Sequence, residues 1–287
     1  MTELSAARAE SRWQRVAGLR LHYLEYLPAP DRSPSELRTV LLLHGGAAHA
    51  HWFDFAVTLL ADRYRVLSLD LRGHGDSEWA PDGRYGYARY AADVAAFIDA
   101  LGTGPVGLVG HSMGGMVALL TASRHADRVS ALTVIDSKME MSPARVATLR
   151  QIGDGGGKRF ASREAFIDGF KIRPEGSHAD VEVVRYMAAA ACRQFDDGTW
   201  RNKFDRAVYA HREPVDGFDY WGDVAAPALL LGGRLSDRIT PDLVSRIKRH
   251  CPQLEYRMID GAGHHIPLDR PRECDAAVSA FLGRVWT

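Results

Sequence analysis

Short runs rich in β-forming residues alternate along the chain with segments in which apolar residues recur at helical spacing. The β-rich runs predict strands at residues 19–27, 39–43, 65–70, 106–110, 129–136, 228–232 and 254–260. The helical segments are 51–61, 87–101, 113–125, 241–250 and 271–284. Runs such as 39–43 are apolar at nearly every position, which is typical of a parallel sheet covered by helices on both faces. We therefore expect an α/β protein with a mostly parallel sheet, in which the first one or two strands run antiparallel.

This alternation stops between about residues 138 and 220, where several helical stretches and scattered aromatic residues replace the strand pattern. We expect an insertion there, between a first core part at 1–137 and a second at 221–287. The large apolar residues of the insertion are Phe166, Phe170, Tyr186, Met187, Phe195, Trp200, Phe204 and Tyr209. Most are expected to pack a small core and some to line a pocket, since ligands of open α/β sheets bind at the carboxyl ends of the strands.

Composition is that of an ordinary globular protein. The chain has 287 residues, 46% of them hydrophobic, which is enough for one large core with an inserted subdomain. Its 36 basic residues balance 36 acidic ones, so no overall field attracts nucleic acid or an anionic membrane. A small, uncharged or weakly charged partner is favoured, and the oligomeric state is left open.

The cysteines and the N-terminal residues indicate in which cellular compartment the protein is expected. Cys192, Cys251 and Cys274 are odd in number and far apart, which argues against a disulfide framework and a structural zinc site and favours buried free thiols. Residues 1–15 lack the apolar run of a secretion signal, and no eighteen apolar residues are consecutive. These features predict a cytoplasmic protein.

Residues 110–115, Gly-His-Ser-Met-Gly-Gly, lie between a predicted strand and a predicted helix. This is the pattern of a nucleophile elbow, a sharp turn that presents a serine hydroxyl at the top of a sheet. The positions two residues to either side of that serine must lack clashing side chains, and Gly110 and Gly114 meet this demand. Ser112 is therefore the candidate nucleophile.

A serine hydroxyl becomes a good nucleophile only when a histidine takes its proton and an acid orients that histidine. His264 follows a glycine-rich loop after the last predicted strand, at the sheet edge where the elbow opens. His265 is a rival that the sequence does not exclude. We predict Asp237 as the acid, with Asp136 as the alternative, and either keeps the chain order serine, aspartate, histidine.

A tetrahedral intermediate needs two N–H donors, one of them from the residue after the nucleophile, here Met113. The second is predicted at Gly46 in the glycine turn after strand 39–43, with Ala47 as the second choice. Nearby histidines at positions 44, 49 and 51 have neither a carboxylate cluster nor an H-E-x-x-H pattern beside them. We expect no metal site and no cofactor.

Four motifs together make the chain from about residue 19 to residue 282 resemble the α/β-hydrolase family. They are His-Gly-Gly at 44–46, Asp-Leu-Arg-Gly-His-Gly-Asp-Ser at 70–77, the elbow, and Gly-Ala-Gly-His at 261–264 with Pro271 downstream. The resemblance implies an eight-stranded, mostly parallel sheet, with the 138–220 insertion as a helical cap or lid above the site. It also implies that residues 72–77 form a structural turn near the pocket.

The residue types within these motifs narrow the expected activity. Dehalogenases and epoxide hydrolases of the family have an aspartate at the elbow, whereas this chain has Ser112. Ala47 and Ala48 depart from the proline-containing turns of proline iminopeptidase-like members and of C–C hydrolases. The resemblance is then to cap-bearing carboxylesterases, lactonases and cofactor-free perhydrolases.

We accordingly expect a serine hydrolase that cleaves a small carboxylic ester or lactone through an acyl-enzyme. One alternative is hydrolysis of an amide or of a C–C bond in a diketone by the same three residues. The other is a non-catalytic protein that only binds a ligand in the cap pocket.

Overall fold

The computed structural model describes residues 5–27, 33 and 36–287. Its strands are β1 (Ala9–Val16), β2 (Leu19–Tyr26), β3 (Thr39–Leu43), β4 (Arg65–Leu69), β5 (Val106–His111), β6 (Val129–Ile135), β7 (Glu140–Met141), β8 (Cys192–Gln194), β9 (Trp200–Asn202), β10 (Val215–Asp216), β11 (Ala228–Gly233) and β12 (Glu255–Ile259). Its helices are α1 (Thr58–Ala61), α2 (Tyr87–Leu101), α3 (Met113–Arg124), α4 (Pro143–Asp154), α5 (Arg163–Gly169), α6 (Val181–Ala191), α7 (Ala207–Ala210), α8 (Phe218–Trp221), α9 (Pro241–His250), α10 (Ile266–Asp269) and α11 (Pro271–Val285). Further 3-10 turns in the described part of the chain lie at Ala50–Phe53 and Ala126–Arg128.

The main sheet has eight strands in the order β1-β2-β4-β3-β5-β6-β11-β12. Strand β2 pairs antiparallel with β1 and with β4, and the remaining neighbours are parallel. The expected α/β architecture, with a mostly parallel sheet and antiparallel strands at its start, is confirmed.

Strand β3 shows why the central strands are apolar throughout. Leu41 and Leu43 pack into the core on one face of the sheet, together with residues of α2 and α3. Val40 and Leu42 point to the opposite face and pack with residues of α1 and α11. Because successive side chains of a strand alternate between faces, burial on both sides requires an unbroken apolar run.

Local residue types explain where several helices begin or end. The predicted helices 87–101 and 241–250 have the predicted bounds. Helix α2 ends at Gly102, whose φ of 65° is the left-handed conformation that glycine adopts at little cost. Helix α9 begins after Thr240, whose hydroxyl accepts a hydrogen bond from the Leu243 N–H at 3.2 Å.

Two elements differ from the sequence prediction. The predicted helix 51–61 is instead the 3-10 turn Ala50–Phe53 followed by the single turn α1. Strand β1 was not predicted, because most of its side chains are exposed and it has no apolar run. Backbone pairing with β2 along eight residues, rather than burial, holds β1 in the sheet.

The segment between β6 and β11 contains helices α4 to α8 and two small two-stranded sheets. Strand β7 pairs with β10, which brings the two ends of the segment side by side. Phe166, Ala188, Ala191 and Cys192 form a small buried cluster within it. The predicted domain boundaries at 137/138 and 220/221 stay a prediction.

Two sequence expectations concern cysteines and membrane spans. Cys192, Cys251 and Cys274 are buried and free, as predicted. In the described ranges, no helix combines the length and the apolar character that crossing a bilayer requires.

Candidate active site

Ser112 occupies the turn between β5 and α3. Its backbone has φ 53° and ψ −115°, a conformation that costs a residue with a side chain about 1–3 kcal/mol. The turn is held by the Ser112 N–H, which donates to the Ile135 carbonyl at 2.9 Å. Strain at this one residue turns the chain from strand to helix and leaves the hydroxyl at the carboxyl end of the sheet.

The two glycines that flank Ser112 are required by close backbone contacts. A β-carbon at Gly110 would lie 2.1 Å from the Gly114 carbonyl oxygen, and one at Gly114 would lie 2.3 Å from the Leu43 carbonyl oxygen. Backbone atoms cannot move aside as a flexible side chain can. The glycine pattern of the elbow is therefore explained by helix α3 packing directly against strands β5 and β3.

Substitution of Gly114 by alanine tests this packing. We expect it to lower the free energy of unfolding by about 3 kcal/mol, because the added methyl group overlaps backbone atoms. Gly222→Ala is the matched control, since Gly222 has an ordinary helical backbone and open space around it. That variant should unfold at the wild-type urea concentration or slightly above it. Equal urea midpoints for the two variants would contradict the packing argument.

His264 lies on the loop after β12 and reaches Ser112. The Ser112 hydroxyl donates to His264 Nε2 at 3.0 Å, and His264 Nδ1 donates to Asp136 Oδ2 at 2.8 Å. A carboxylate can only accept, so the proton is on Nδ1 and the free lone pair of Nε2 faces the hydroxyl. Ser112, His264 and Asp136 thus form a continuous hydrogen-bonded chain.

Asp136, and not Asp237, is the acid in contact with His264. The Asp136 side chain is fully buried and also accepts hydrogen bonds from the Ser236 hydroxyl at 2.7 Å and the Gly233 N–H at 3.1 Å. The side chain of Asp237 is 84% exposed and lies 3.6 Å from Lys138 Nζ. The prediction of Asp237 is therefore wrong, and the alternative that the sequence left open is the one that the geometry supports.

Strand register explains the position of Asp136. Strands β5 and β6 are parallel neighbours in which His111 pairs with Ile135, so Ser112 and Asp136 are the next residues on adjacent strands. Asp136 also has a positive φ of 44°, which turns its side chain away from the strand path. The loop that carries Asp237 begins one strand further from the elbow, at the end of β11. The sequence shows that Asp136 directly follows an apolar run, but it does not show that this strand lies next to β5.

Two other histidines border the site without reaching the serine. His265, the rival to His264, donates through Nε2 to the Pro174 carbonyl at 2.8 Å. His111, which the sequence analysis did not single out, donates through Nε2 to the His264 carbonyl at 2.9 Å. His111 thereby ties the loop of His264 to the residue next to the elbow.

Arg238 is a cation beside the pair formed by Asp136 and His264. Its Nε lies 3.8 Å from Asp136 Oδ2. Burial raises the pKa of Asp136 to about 6, against the hydrogen bonds from Ser236 and Gly233 and the charge of Arg238, which lower it. Burial lowers the pKa of His264, and the positive charge of Arg238 lowers it further. The cation therefore favours the deprotonated histidine that can accept a proton.

Replacement of Arg238 by glutamine tests this influence. Because the cation lowers the pKa of both Asp136 and His264, its loss should raise both, and the acidic limb of the kcat/KM profile should move about one pH unit higher. Arg234→Gln is the control, since Arg234 is exposed and pairs with Asp260. Profiles recorded from pH 4 to pH 9 give the comparison. An unmoved or lowered limb in Arg238→Gln would show that Arg238 does not act on the pair.

The glycine turn after β3 packs against the elbow. A β-carbon at Gly45 would lie 3.4 Å from the Ser112 β-carbon, and one at Gly46 would lie 3.9 Å from the Met113 β-carbon. Within the described ranges, the amides of Gly46 and Met113 donate to no acceptor outside the helices and strands. The predicted oxyanion donors thus lie side by side next to Ser112, and their role stays a prediction.

The histidines near this turn have local hydrogen-bond partners. His44 donates through Nδ1 to the Gly45 carbonyl at 2.7 Å and accepts the Leu71 N–H at Nε2. His49 donates through Nε2 to the Met187 carbonyl, and His51 contacts Asp54 at 2.8 Å. These three side chains therefore fix the turn and its neighbours in place.

The motif at 70–77 forms a hydrogen-bonded turn beside the site. The buried Asp70 carboxylate accepts from the Ala50 N–H at 2.6 Å, the Asp76 N–H at 2.9 Å and the His22 ring at 2.7 Å. It therefore joins β2, the 3-10 turn at 50–53 and the loop after β4.

A cavity of about 1310 Å³ opens in front of Ser112. Gly46 and Met113 line it, together with many residues of the segment between β6 and β11. Of the aromatic residues predicted for that segment, Phe170, Phe204 and Tyr209 reach the cavity. Phe166 and Met187 instead belong to buried clusters. The hydroxyl of Ser112 is thus accessible to a small molecule.

Comparison with known proteins agrees with the geometry. The sequence model of the alpha/beta hydrolase fold matches residues 38–271. The chain belongs to the α/β-hydrolase family. It is 28% identical over 252 residues to an esterase of Mycobacterium tuberculosis, Rv0045c, which covers 85% of this chain and 82% of that protein. It is 29% identical over 278 residues to the N-formylmaleamate deformylase of Pseudomonas putida, covering 92% of this chain and 93% of the other.

A solved structure shows the same fold. The crystal structure of E-2-(acetamidomethylene)succinate hydrolase has a TM-score of 0.82, with 23% identity, and covers 96% of this chain and all of that one. These relatives of the α/β-hydrolase family are hydrolases, and their names differ in the bond that is cleaved. The family therefore indicates a hydrolase, and the substrate has to be inferred from the site.

Proposed function

We propose that this α/β-hydrolase is a serine hydrolase that cleaves a small carboxylic ester or lactone through an acyl-enzyme. The observation that carries the proposal is the hydrogen-bonded chain from the Ser112 hydroxyl through His264 to Asp136, at the floor of a cavity. A neutral imidazole with its free nitrogen 3.0 Å from a serine hydroxyl is the arrangement of a general base and its nucleophile. A protein that only binds a ligand has no need of this hydrogen-bonded chain, so its presence favours catalysis over a non-catalytic binding role.

The proposed acylation moves one proton and exchanges one bond. Ser112 Oγ attacks the carbonyl carbon while its proton passes to His264 Nε2, and Asp136 stabilises the imidazolium that forms. The carbonyl oxygen becomes an oxyanion, to which the amides of Gly46 and Met113 donate. When the C–O bond to the leaving group breaks, His264 returns the proton to the departing oxygen. An ester then loses its alcohol, and a lactone keeps it within the acyl group.

Deacylation reverses these roles with water. His264 takes a proton from water, the hydroxide attacks the acyl carbon, and the bond to Ser112 Oγ breaks as that oxygen regains a proton. The segment 138–220 is proposed as the cap that covers this reaction, since its residues form much of the lining of the cavity into which Ser112 opens. The substrate is therefore a small molecule enclosed between sheet and cap.

An amide is the second candidate for the scissile bond. The observation that favours it is the 29% identity to an N-formylmaleamate deformylase, which covers nearly the whole of both chains. The same three residues serve both reactions, because only the leaving atom that receives the proton from His264 differs.

Pre-steady-state kinetics with p-nitrophenyl acetate test the proposed function. We expect a burst of p-nitrophenolate that approaches one equivalent per chain, followed by slower steady turnover, because deacylation follows a distinct acylation step. His264→Gln should lose the burst while retaining the fold. Turnover in wild type that does not exceed turnover in this variant would indicate a protein that only binds its ligand.

A further inference from the structure

Arg212 is a buried cation on the wall of the cavity. Only 2% of its surface is exposed, and it follows helix α7, where its carbonyl accepts hydrogen bonds from the Arg150 guanidinium at 3.0 and 3.2 Å. Its guanidinium carbon lies 5.2 Å from the centre of the Tyr87 ring, and both residues line the cavity. The fold therefore places a fixed positive charge inside the site.

The guanidinium of Arg212 has no acidic partner among the described residues. Its Nε and Nη1 have no hydrogen-bond acceptor there, and Nη2 contacts only the Met113 thioether sulfur at 3.1 Å. A thioether is a weak acceptor, and the face of Tyr87 compensates only part of the lost hydration. A buried charge without a counter-ion raises the free energy of the protein. A ligand that supplies the missing acceptor would therefore bind there more tightly than one that does not.

Arg212 lies next to the predicted oxyanion donors. Its Nη2 is 3.9 Å from the position of a β-carbon on Gly46 and touches the side chain of Met113. A group that pairs with Nη2 is therefore close to the carbonyl that Ser112 attacks. The Met113 side chain is flexible and unbranched, so an incoming oxygen can displace its sulfur from Nη2.

The charges of the cavity as a whole favour an anion. Eight basic residues line it: Lys138, Arg145, Lys171, Arg173, Arg206, Arg212, Arg238 and Arg246. Three acidic residues, Glu140, Glu175 and Asp242, line it as well. Glu140 pairs with Arg246, and Glu175 pairs with Arg173. Asp237 and Asp136, outside this lining, lie near Lys138 and Arg238, and no ion pair among the described residues involves the other basic lining residues. A chain whose formal net charge is zero thus concentrates positive charge around one cavity, which attracts anionic ligands.

We infer that the substrate carries a carboxylate, which Arg212 binds about one to three carbon atoms from the scissile carbonyl. This inference rests on the proposed function and adds the substrate class. Arg212 is then a specificity-determining residue: the carboxylate accepts from its guanidinium while the scissile carbonyl oxygen accepts from Gly46 and Met113. The zero net charge of the whole chain, which favoured an uncharged or weakly charged partner in the sequence analysis, does not reveal this local excess of positive charge.

Matched pairs of methyl esters test the inference. The anionic members are the monomethyl esters of malonic, succinic, glutaric and adipic acids, and the neutral members carry a primary amide in place of the free carboxylate. Hydrolysis is followed by base uptake at pH 7.5. For the best chain length we expect kcat/KM to favour the anion on the order of 10- to 100-fold, the range for a hydrogen bond to a charged group. No preference at any chain length would overturn the inference.

Variants locate the preference at one residue. Arg212→Met should abolish the preference for the anion, and Arg212→Lys, which keeps the charge without the planar fork, should retain part of it. Arg246→Met is the control, because it removes one positive charge from the same cavity at a half-buried residue already paired with Glu140 and Asp216. If Arg246→Met loses the preference to the same extent as Arg212→Met, the preference comes from the overall positive charge of the cavity and not from a specific contact with Arg212. That result would contradict the inference.

A binding measurement separates this inference from the proposed function. In the Ser112→Ala background, titration calorimetry should give a lower Kd for the preferred monomethyl ester than for its amide. Adding Arg212→Met to this background should remove the difference in Kd. Equal binding of anion and amide overturns the inference even when ester hydrolysis depends on Ser112. Absence of Ser112-dependent hydrolysis for every ester instead overturns the proposed function, and the carboxylate site is then judged by binding alone.

Discussion

Replacing Ser112 by alanine is expected to lower kcat for an ester roughly a million-fold, to the rate that binding and oxyanion stabilisation alone sustain. The variant keeps His264 and Asp136 but has no oxygen that can form the acyl-enzyme. The strained backbone at position 112 accepts alanine as readily as serine, so the fold should survive the change. Steady-state hydrolysis of p-nitrophenyl acetate, with thermal unfolding as the check on folding, gives the result.

A modest loss of activity would contradict the account of Ser112. If the alanine variant kept a tenth of the wild-type rate while folding normally, hydrolysis would have to use another nucleophile or a directly activated water. Because contamination by a co-purifying esterase sets the lowest measurable rate, the variant should be compared with an identically prepared His264→Gln sample.

Asp136→Asn is expected to lower kcat about ten-thousand-fold, whereas Asp237→Asn should stay within about two-fold of wild type. An asparagine amide can donate to Nδ1 of His264, which moves the histidine proton to Nε2 and removes the lone pair that faces Ser112. Asp237 is exposed, and among the described residues its ion pair is with Lys138, so its charge has little influence on the reaction. Both variants remove one carboxylate and keep the side-chain shape.

The kinetics of the two aspartate variants decide between the acid predicted from the sequence and the acid that contacts His264 in the structure. A large loss in Asp237→Asn together with a small loss in Asp136→Asn would restore the acid predicted from the sequence. Similar losses in both would mean that the loop of Asp237 moves into the site during catalysis. Thermal unfolding of Asp136→Asn is needed beside the kinetics, since Asp136 also holds Ser236 and Gly233.

The parts of the site that depend on the backbone were predictable from the sequence. Gly110 and Gly114 leave a local pattern because only glycine tolerates the contacts of the elbow, and that pattern identified Ser112. His264 was found because it follows the last predicted strand of a parallel sheet. In both cases the constraint lies between residues that are close in the chain or at the end of a strand.

The parts that depend on neighbouring strands and on packing were not predictable in this way. The choice between Asp136 and Asp237 requires the register of β5 and β6, which no local pattern encodes. Arg212 follows a short helix of the segment between β6 and β11, and its burial beside Met113 depends on how that segment folds over the sheet. Exposed β1 was missed because pairing with β2, rather than apolar periodicity, forms it.

The central claim is that His264 and Asp136 activate the Ser112 hydroxyl, and covalent labelling with a fluorophosphonate tests it most directly. Intact mass spectrometry of the wild-type protein should show one phosphonyl group per chain, and peptide mapping should place it on Ser112. His264→Gln and Asp136→Asn should label far more slowly, while Asp237→Asn labels at the wild-type rate. A wild-type protein that stays unlabelled, or that carries the phosphonyl group on another residue, would contradict the account.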